Sequence, residues 1–367
     1  MLTHLSTLLR ALALLGIEST VAGPPGSLQR LQERLARARP TPSLTFAELP
    51  LRDGLCPADD LRAVGRLRHL LELLQPDVVH AHGHKAALAA ALAAGRRDSA
   101  RTGQRPALVV TVHNLLPEGS RLRSSIDRRL ALSGLGRASR VITVSRVLRQ
   151  FVEELAPGVP VRVVPNALDP AWIPPAKGKT GGEAPPVDGR VVVACVMRLH
   201  RPKGVAALLE AASRLPGSTR AQLWIAGDGP ERPSLERLAV RLGLEGRVRF
   251  LGFQPDPSRI WACAHVAALP WLREGSSYSA LEAMAAGLPV VSFDGPGCRE
   301  VLPEGAGVAV PPHPVDALAE ALRRLADDPA LRHRMGEAAR RAALSRTAAD
   351  MASETLAVYR EVAQNPR

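Results

Sequence analysis

Residues 269–300 read LPWLREGSSYSALEAMAAGLPVVSFDGPGCRE, and the order of residue types gives the stretch a shape. An apolar run ends near Leu269, and a polar loop carrying Glu274 and Gly275 follows. A helix opens near Ser276 or Ser277, runs through Glu282 and stops at Gly287, with Pro289 beyond. Glycine at a helix end and proline soon after are stop signals. A second apolar run, 290–293, then begins.

The same alternation extends in both directions. In the second half, strands are expected near 191–196, 222–226, 248–251, 266–269 and 290–293. In the first half they are expected near 19–22, 77–81, 108–112, 141–144 and 161–164, with helices such as 59–74 and 85–94 between them. Nearly continuous apolar strands separated by amphipathic helices imply parallel sheets covered on both faces. Between the halves, residues 169–190 read DPAWIPPAKGKTGGEAPPVDGR, too rich in proline and glycine to extend a helix or a central strand. That composition predicts a linker over 171–190 joining a first domain, 1–170, to a second, 191–349. After Pro311 the chain reads as mostly helical.

Composition bounds the function. A chain of 367 residues, 46% hydrophobic and 23% charged, can bury two ordinary cores. Its apolar runs fall short of the roughly 18–20 residues that a membrane span requires. Arg10 interrupts the first apolar stretch and no basic segment precedes it, so no signal peptide is read. Cys56, Cys195, Cys263 and Cys298 lie far apart and read as buried thiols in a reducing cytoplasm. The net charge of +13 is uneven, since residues 1–170 carry 23 basic against 14 acidic side chains. A basic first half, with Arg121, Arg123, Arg128 and Arg129 clustered in it, suits an anionic membrane face or a phosphorylated acceptor. Nucleic acid is the weakest partner, because aromatic residues are only 3% of the chain and offer no stacking platform.

Three segments carry chemistry. In 269–300 the loop delivers backbone amides at a helix N-terminus, where a phosphate is favoured by hydrogen bonds and by the helix dipole. Glu274 and Glu282, eight positions apart, are spaced to accept hydrogen bonds from hydroxyls at opposite ends of one ligand, or are simply a helix-start acid and a surface acid. In VVVACVMRLHRPKG, residues 191–204, a strand runs into Arg198 and then Lys203. Cations at the carboxyl end of a parallel strand stand where open α/β sheets bind ligands, and they suit a diphosphate that gains charge as it leaves. IAGDGP, 225–230, is a tight turn and weak evidence alone. In the first half, VVHAHGHK, 78–85, and VVTVHN, 109–114, place histidines at strand ends. His80, His82 and His84 lack a carboxylate or cysteine to complete a tetrahedral set, so no metal is assigned. His113, closing its strand, is the functional candidate.

Taken together these residues resemble the retaining glycosyltransferases of family four, with the GT-B fold. EGSSYSALEAMAAGLPVV is similar to the family's EGFGLxxxEAMAxGxPVV segment, and Arg198 with Lys203–Gly204 to its phosphate clamp. DVVHAH, TVHN, VPNALD and a closing helix bearing Tyr359 resemble further landmarks. The resemblance implies two Rossmann-like domains, with residues from about 350 to 367 completing the first. It implies Glu282 on the donor ribose, and Glu274 and His113 on the transferred sugar. Gly275 with the amides of Ser276, Ser277 and Tyr278 falls near the phosphate and sugar, and Arg198 and Lys203 on the diphosphate. It implies a nucleoside-diphosphate sugar as co-substrate, no obligatory metal, and a glycan or lipid-linked acceptor. A cytoplasmic enzyme follows, held at the inner face of the plasma membrane if its acceptor is lipid-linked.

The departures define the rivals. The family's EGFG reads EGSS, and its PNGVD reads PNALD with Ala167 for glycine. The strand and glycine loop with which the family begins are missing, and the chain opens in a helix over 3–15. A further segment of roughly 10–20 residues, a strand of ordinary length and a turn, is expected before Met1. A sugar-nucleotide-binding module without turnover, or a nucleotide-sugar epimerase on the same fold, are the alternatives.

Overall fold

The computed structural model describes residues 2–38, 43–52, 54, 56–95, 105–116, 121–173, 189–272, 274–295 and 297–364, with 121–127 described in backbone only. The described chain falls into two compact units, Met1–Ala171 with Ala348–Arg367, and Trp172–Thr347. Most of the stretch read as a linker lies outside the described residues.

The first unit begins with α1 (Leu2–Leu14), β1 (Thr20–Gly23), α2 (Pro25–Ala36), β2 (Thr45–Glu48) and α3 (Pro57–Leu74). It continues through β3 (Val78–His82), α4 (His84–Ala94), β4 (Ala107–Val112), α5 (Arg121–Leu135), β5 (Arg140–Thr143), α6 (Arg146–Leu155) and β6 (Val161–Val163). Strands β3-β4-β5-β6 form one parallel sheet in sequence order, and β1 and β2 pair parallel as a separate ribbon. Strand β4 is buried along its whole length, as its unbroken apolar run requires of a central strand. The register pairs His82 with Thr111, so the carboxyl ends of β3 and β4 lie level.

The second unit holds β7 (Val191–Val196), α7 (Val205–Ser213), β8 (Ala221–Ala226), α8 (Arg232–Arg241), β9 (Val248–Gly252), α9 (Ser258–Cys263) and β10 (Val266–Ala268). After these come α10 (Tyr278–Ala285), β11 (Val290–Phe293), α11 (Cys298–Val301), β12 (Gly307–Val310), α12 (Asp316–Asp327) and α13 (Pro329–Leu344). The final helix, α14 (Ala348–Gln364), belongs to the first unit. Its Met351, Ala352, Leu356 and Val358 share a core with Leu8 and Leu12 of α1, Val109 of β4 and Ile142 of β5. Helix α1 therefore covers its apolar face against α14, β4 and β5.

The second sheet runs β12-β11-β10-β7-β8-β9, all parallel. From β7 the chain moves outward to β8 and β9, then returns to β10 on the other side of β7. The boundary between β7 and β10 is thus the point where strand order reverses, and ligands of open α/β sheets bind beyond the strand ends there.

Strands β2 and β12 are not anticipated by the sequence. The two half-buried cysteines, Cys56 and Cys263, correct the expectation that all four thiols are buried; all four are free. Among the described residues no helix is long and apolar enough to cross a membrane.

Candidate active site

The loops leaving β7 and β10 meet in the second unit. Beyond β7, Arg198 is exposed, Leu199 is buried and a single 3₁₀ turn, Arg201–Lys203, precedes Gly204 at φ +69°. A side chain at Gly204 would overlap the carbonyl oxygen of Pro270, so glycine lets the two loops touch. The Leu272 amide donates to the Pro202 carbonyl at 3.0 Å, which fixes the loops in register. The contact brings Lys203 to Glu274, whose carboxylate accepts from the Lys203 ammonium. The pair is only 27% and 11% exposed at its side chains, so water screens it poorly.

The IAGDGP turn supports the Arg198 loop from the other side. Side chains at Gly227 and Gly229 would overlap the carbonyl oxygens of Met197 and Leu199. The amides of Met197 and Leu199 donate to Ala226 and Asp228 at 3.0 and 2.9 Å. Tight packing of backbone on backbone thus accounts for both glycines. Gly297, at φ +83°, stands likewise against the carbonyls of Glu274 and Gly275.

Helix α10 begins one residue beyond Ser277, whose Oγ accepts from the Ala280 amide at 3.3 Å. A serine at this position satisfies one of the amides a helix start leaves open. Glu282, one turn in, is 7% exposed, and the indole N–H of Trp261 donates to its Oε2 at 3.3 Å. The Gly275 amide donates to Glu274 itself, at 3.3 Å. Glu274 and Glu282 therefore stand on one loop–helix segment, each with a donor of its own. Trp261, on α9, was missed in the sequence, where a tryptophan in SRIWAC reads as core.

In the first unit the level ends of β3 and β4 set His82 beside His113, with His82 Nδ1 and His113 Nε2 sharing a hydrogen bond at 3.1 Å. His80, on the same face of β3, is bound at both nitrogens, 2.6 Å from the Tyr359 hydroxyl and 2.6 Å from Thr111 Oγ1. His84 opens α4 beside Asn114, close enough to His113 to disfavour its charge. His4 of α1 joins the group, its ring 4.6 Å from that of His113. His4 Nδ1 and Asn166 Oδ1 are 3.0 Å apart, and Arg10 pairs with buried Asp169 at 2.7 Å. These two links tie α1 to the VPNALD segment, where Ala167 is buried in the core that α1 and α14 share.

Burial controls the charge of these rings. Desolvation holds His4 down at about 4, against the hydrogen bond to Asn166 that favours its charge, and holds His80 down at about 3, where the nearby His4 ring adds to the effect. His82 and His113 are lowered well below the ordinary histidine range, again chiefly by burial and then by neighbouring histidines. At neutral pH the four rings are uncharged donors and acceptors.

Two parallel-sheet units, the second with basic and acidic groups beyond the strand ends at a reversal of strand order, define an open α/β protein with a ligand site at its strand ends. The model for "Glycosyltransferase Family 4" matches residues 1–172, and that for "Glycosyl transferases group 1" matches residues 182–342. The chain belongs to this glycosyltransferase family, with the GT-B fold. An alpha-D-kanosaminyltransferase of Streptomyces kanamyceticus is 37% identical over 182 residues, 48% of this chain and 47% of that one. A lipopolysaccharide core biosynthesis glycosyltransferase of Rhizobium meliloti is 37% identical over 153 residues, 41% of this chain and 44% of that one. The chain thus spans about half the length of these curated relatives. Among solved structures, a sucrose-phosphate synthase of Thermosynechococcus elongatus superposes with a TM-score of 0.79 at 20% identity, covering 97% of this chain and 91% of that one. The Anabaena protein HepE, solved with UDP and glucose, gives 0.76 at 22% identity over 97% and 95%. At these identities the likeness speaks for the fold.

Proposed function

We propose that the chain transfers a sugar from a nucleoside diphosphate to a glycan or lipid-linked acceptor, with retention at the anomeric carbon. The observation that carries this reading is the convergence of Lys203, Glu274 and the capped start of α10 beyond β7 and β10. Arg198 and Lys203 take the diphosphate, and beside Gly275 the amides of Ser276, Ser277 and Tyr278 take the phosphate and sugar oxygens. Glu282 accepts from the ribose hydroxyls. Glu274 accepts from the sugar's hydroxyls, and its ion pair with Lys203 makes it a poor nucleophile. Retention then follows if the leaving phosphate assists the acceptor hydroxyl on the same face of an oxocarbenium-like transition state, while Lys203 stabilises the charge that develops. His113 is assigned a sugar contact by the family resemblance, as a neutral hydrogen-bonding ring.

The test is a screen of common nucleotide sugars for diphosphate release, with and without candidate glycan and lipid-linked acceptors, and with the anomeric configuration of the product read by NMR. Acceptor-dependent release and a retained anomer are expected. Donor binding without turnover would make the chain a binding module, and isomerisation of free donor would make it an epimerase.

A further inference from the structure

The histidines of the first unit do more than pack. Among the described residues, His4, His82 and His113 form the one group whose ligand atoms converge, all lying within 4.8 Å of one another. They come from three elements: the first turn of α1, the end of β3 and the residue after β4. Their rings meet edge-on or stacked, with centroids 4.6–5.4 Å apart.

One pair of nitrogens has the spacing an ion requires, and the third residue's ligand atom lies within 4.8 Å of both partners. Zinc–imidazole bonds of about 2.0–2.1 Å at tetrahedral angles set ligand nitrogens roughly 3.3 Å apart. His82 Nδ1 and His113 Nε2 already stand 3.1 Å apart. The surroundings of His4 agree with a ligand role. With Asn166 Oδ1 as acceptor at 3.0 Å, His4 donates from Nδ1 and carries its lone pair on Nε2. A second hydrogen bond that fixes ring and tautomer in this way is the usual companion of a metal-bound histidine. His80 stands outside the set, since Tyr359 and Thr111 engage both of its nitrogens. The sequence did not bring His4 to this group, because it lies in a helix 78 residues before His82.

The geometry points to a divalent-cation site of the zinc type formed by His4, His82 and His113. Three neutral nitrogen ligands suit zinc, cobalt(II) or nickel(II) rather than magnesium or calcium, which take oxygen. Three ligands leave a fourth position for water. The proton now held between His82 and His113 moves to the far nitrogen of the ring that carries it, so the ion enters without loss of a proton from the pair.

Cobalt(II) tests this on the full chain, purified without a histidine tag, stripped with EDTA and desalted. One equivalent should give saturable visible bands of four- or five-coordinate nitrogen–oxygen cobalt, and one equivalent of zinc should bleach them. His4→Ala should weaken binding at least tenfold, and His333→Ala, exposed on α13 of the second unit, should leave it unchanged. His4→Ala also removes the link to Asn166, so circular dichroism accompanies it. Should that variant fail to fold, His113→Ala carries the same expectation, and the wild-type spectrum stands by itself. A wild-type spectrum of hydrated cobalt alone, intense sulfur-to-cobalt bands from the cysteines, or equal loss in His333→Ala would each overturn the site.

Discussion

Lys203 and Glu274 hold one another, so replacing either has two effects that can be separated. Lys203→Ala should weaken nucleoside-diphosphate binding by about 1.5–3 kcal/mol, the worth of a hydrogen bond to a charged group. It should also lower the urea midpoint, because Glu274 is left half-enclosed without its cation. Arg198→Ala should lose comparable affinity and no stability, since Arg198 is exposed. Calorimetric titration beside urea unfolding reads both, and unchanged affinity in both variants would remove the phosphate clamp. Trp261→Phe keeps most of the ring and deletes the N–H that reaches Glu282. Affinity for a nucleoside diphosphate should fall while affinity for inorganic pyrophosphate, which has no ribose, stays; equal change in both would reduce Trp261 to packing. The two glutamates were legible in the sequence because loop and helix are adjacent along the chain. Trp261 and His4 were not, because each reaches its partner through tertiary packing, and a lone tryptophan or histidine has bland uses everywhere.

At the scale of elements, most strands could be read from continuous apolar runs flanked by glycine and proline. β2, TFAE, and β12, GVAV, escaped because a four-residue edge strand, mostly half-exposed, lacks both the length and the apolar continuity of a central one. The sequence of IAGDGP reads as a tight turn, but the backbone packing that requires its glycines is visible only in three dimensions. Gly227→Ala should destabilise the second unit by about 1–3 kcal/mol, as overpacking does, with a further penalty from φ +142°. A urea midpoint equal to the parent's would mean that the Arg198 loop yields without cost. The junction of α1, β3, β4 and α14 makes a prediction about acid. His4 and His80 are held near 4 and 3 when folded, whereas unfolded histidine titrates near 6.5. Their native pKa values are depressed, so the unfolded chain binds the extra protons and stability falls as pH drops below about 6.5. The slope is up to about 1.4 kcal/mol per pH unit for each histidine. In EDTA-treated protein the urea midpoint should decline between pH 7.5 and 5, before the carboxylates titrate; a flat profile would mean that the rings protonate in place.

The whole molecule carries +13, more of it in residues 1–170 than in the rest, and this excess belongs to a chain with no described helix able to cross a membrane. Of the arginines clustered near 121–129, Arg128 and Arg129 are exposed on α5, and the side chains of Arg121 and Arg123 lie outside the described residues. A lipid-linked acceptor would give such a surface a purpose, since each basic side chain near an anionic bilayer contributes about 1 kcal/mol. The competing account is a solvated basic face on a freely diffusing enzyme, and salt separates them. Attraction to anionic headgroups decays within a Debye length, about 10 Å at ~0.1 M salt and 3 Å at ~1 M. The chain should therefore float with phosphatidylserine vesicles at low salt, remain behind with neutral phosphatidylcholine vesicles, and be released as salt rises. Replacing Arg128 and Arg129 together by glutamate should reduce flotation severalfold and leave turnover of a soluble acceptor unchanged. Flotation that survives this charge reversal would move the contact to another face. No flotation at low salt would leave the basic excess as a solvated surface, and the acceptor would then have to be sought among soluble glycans.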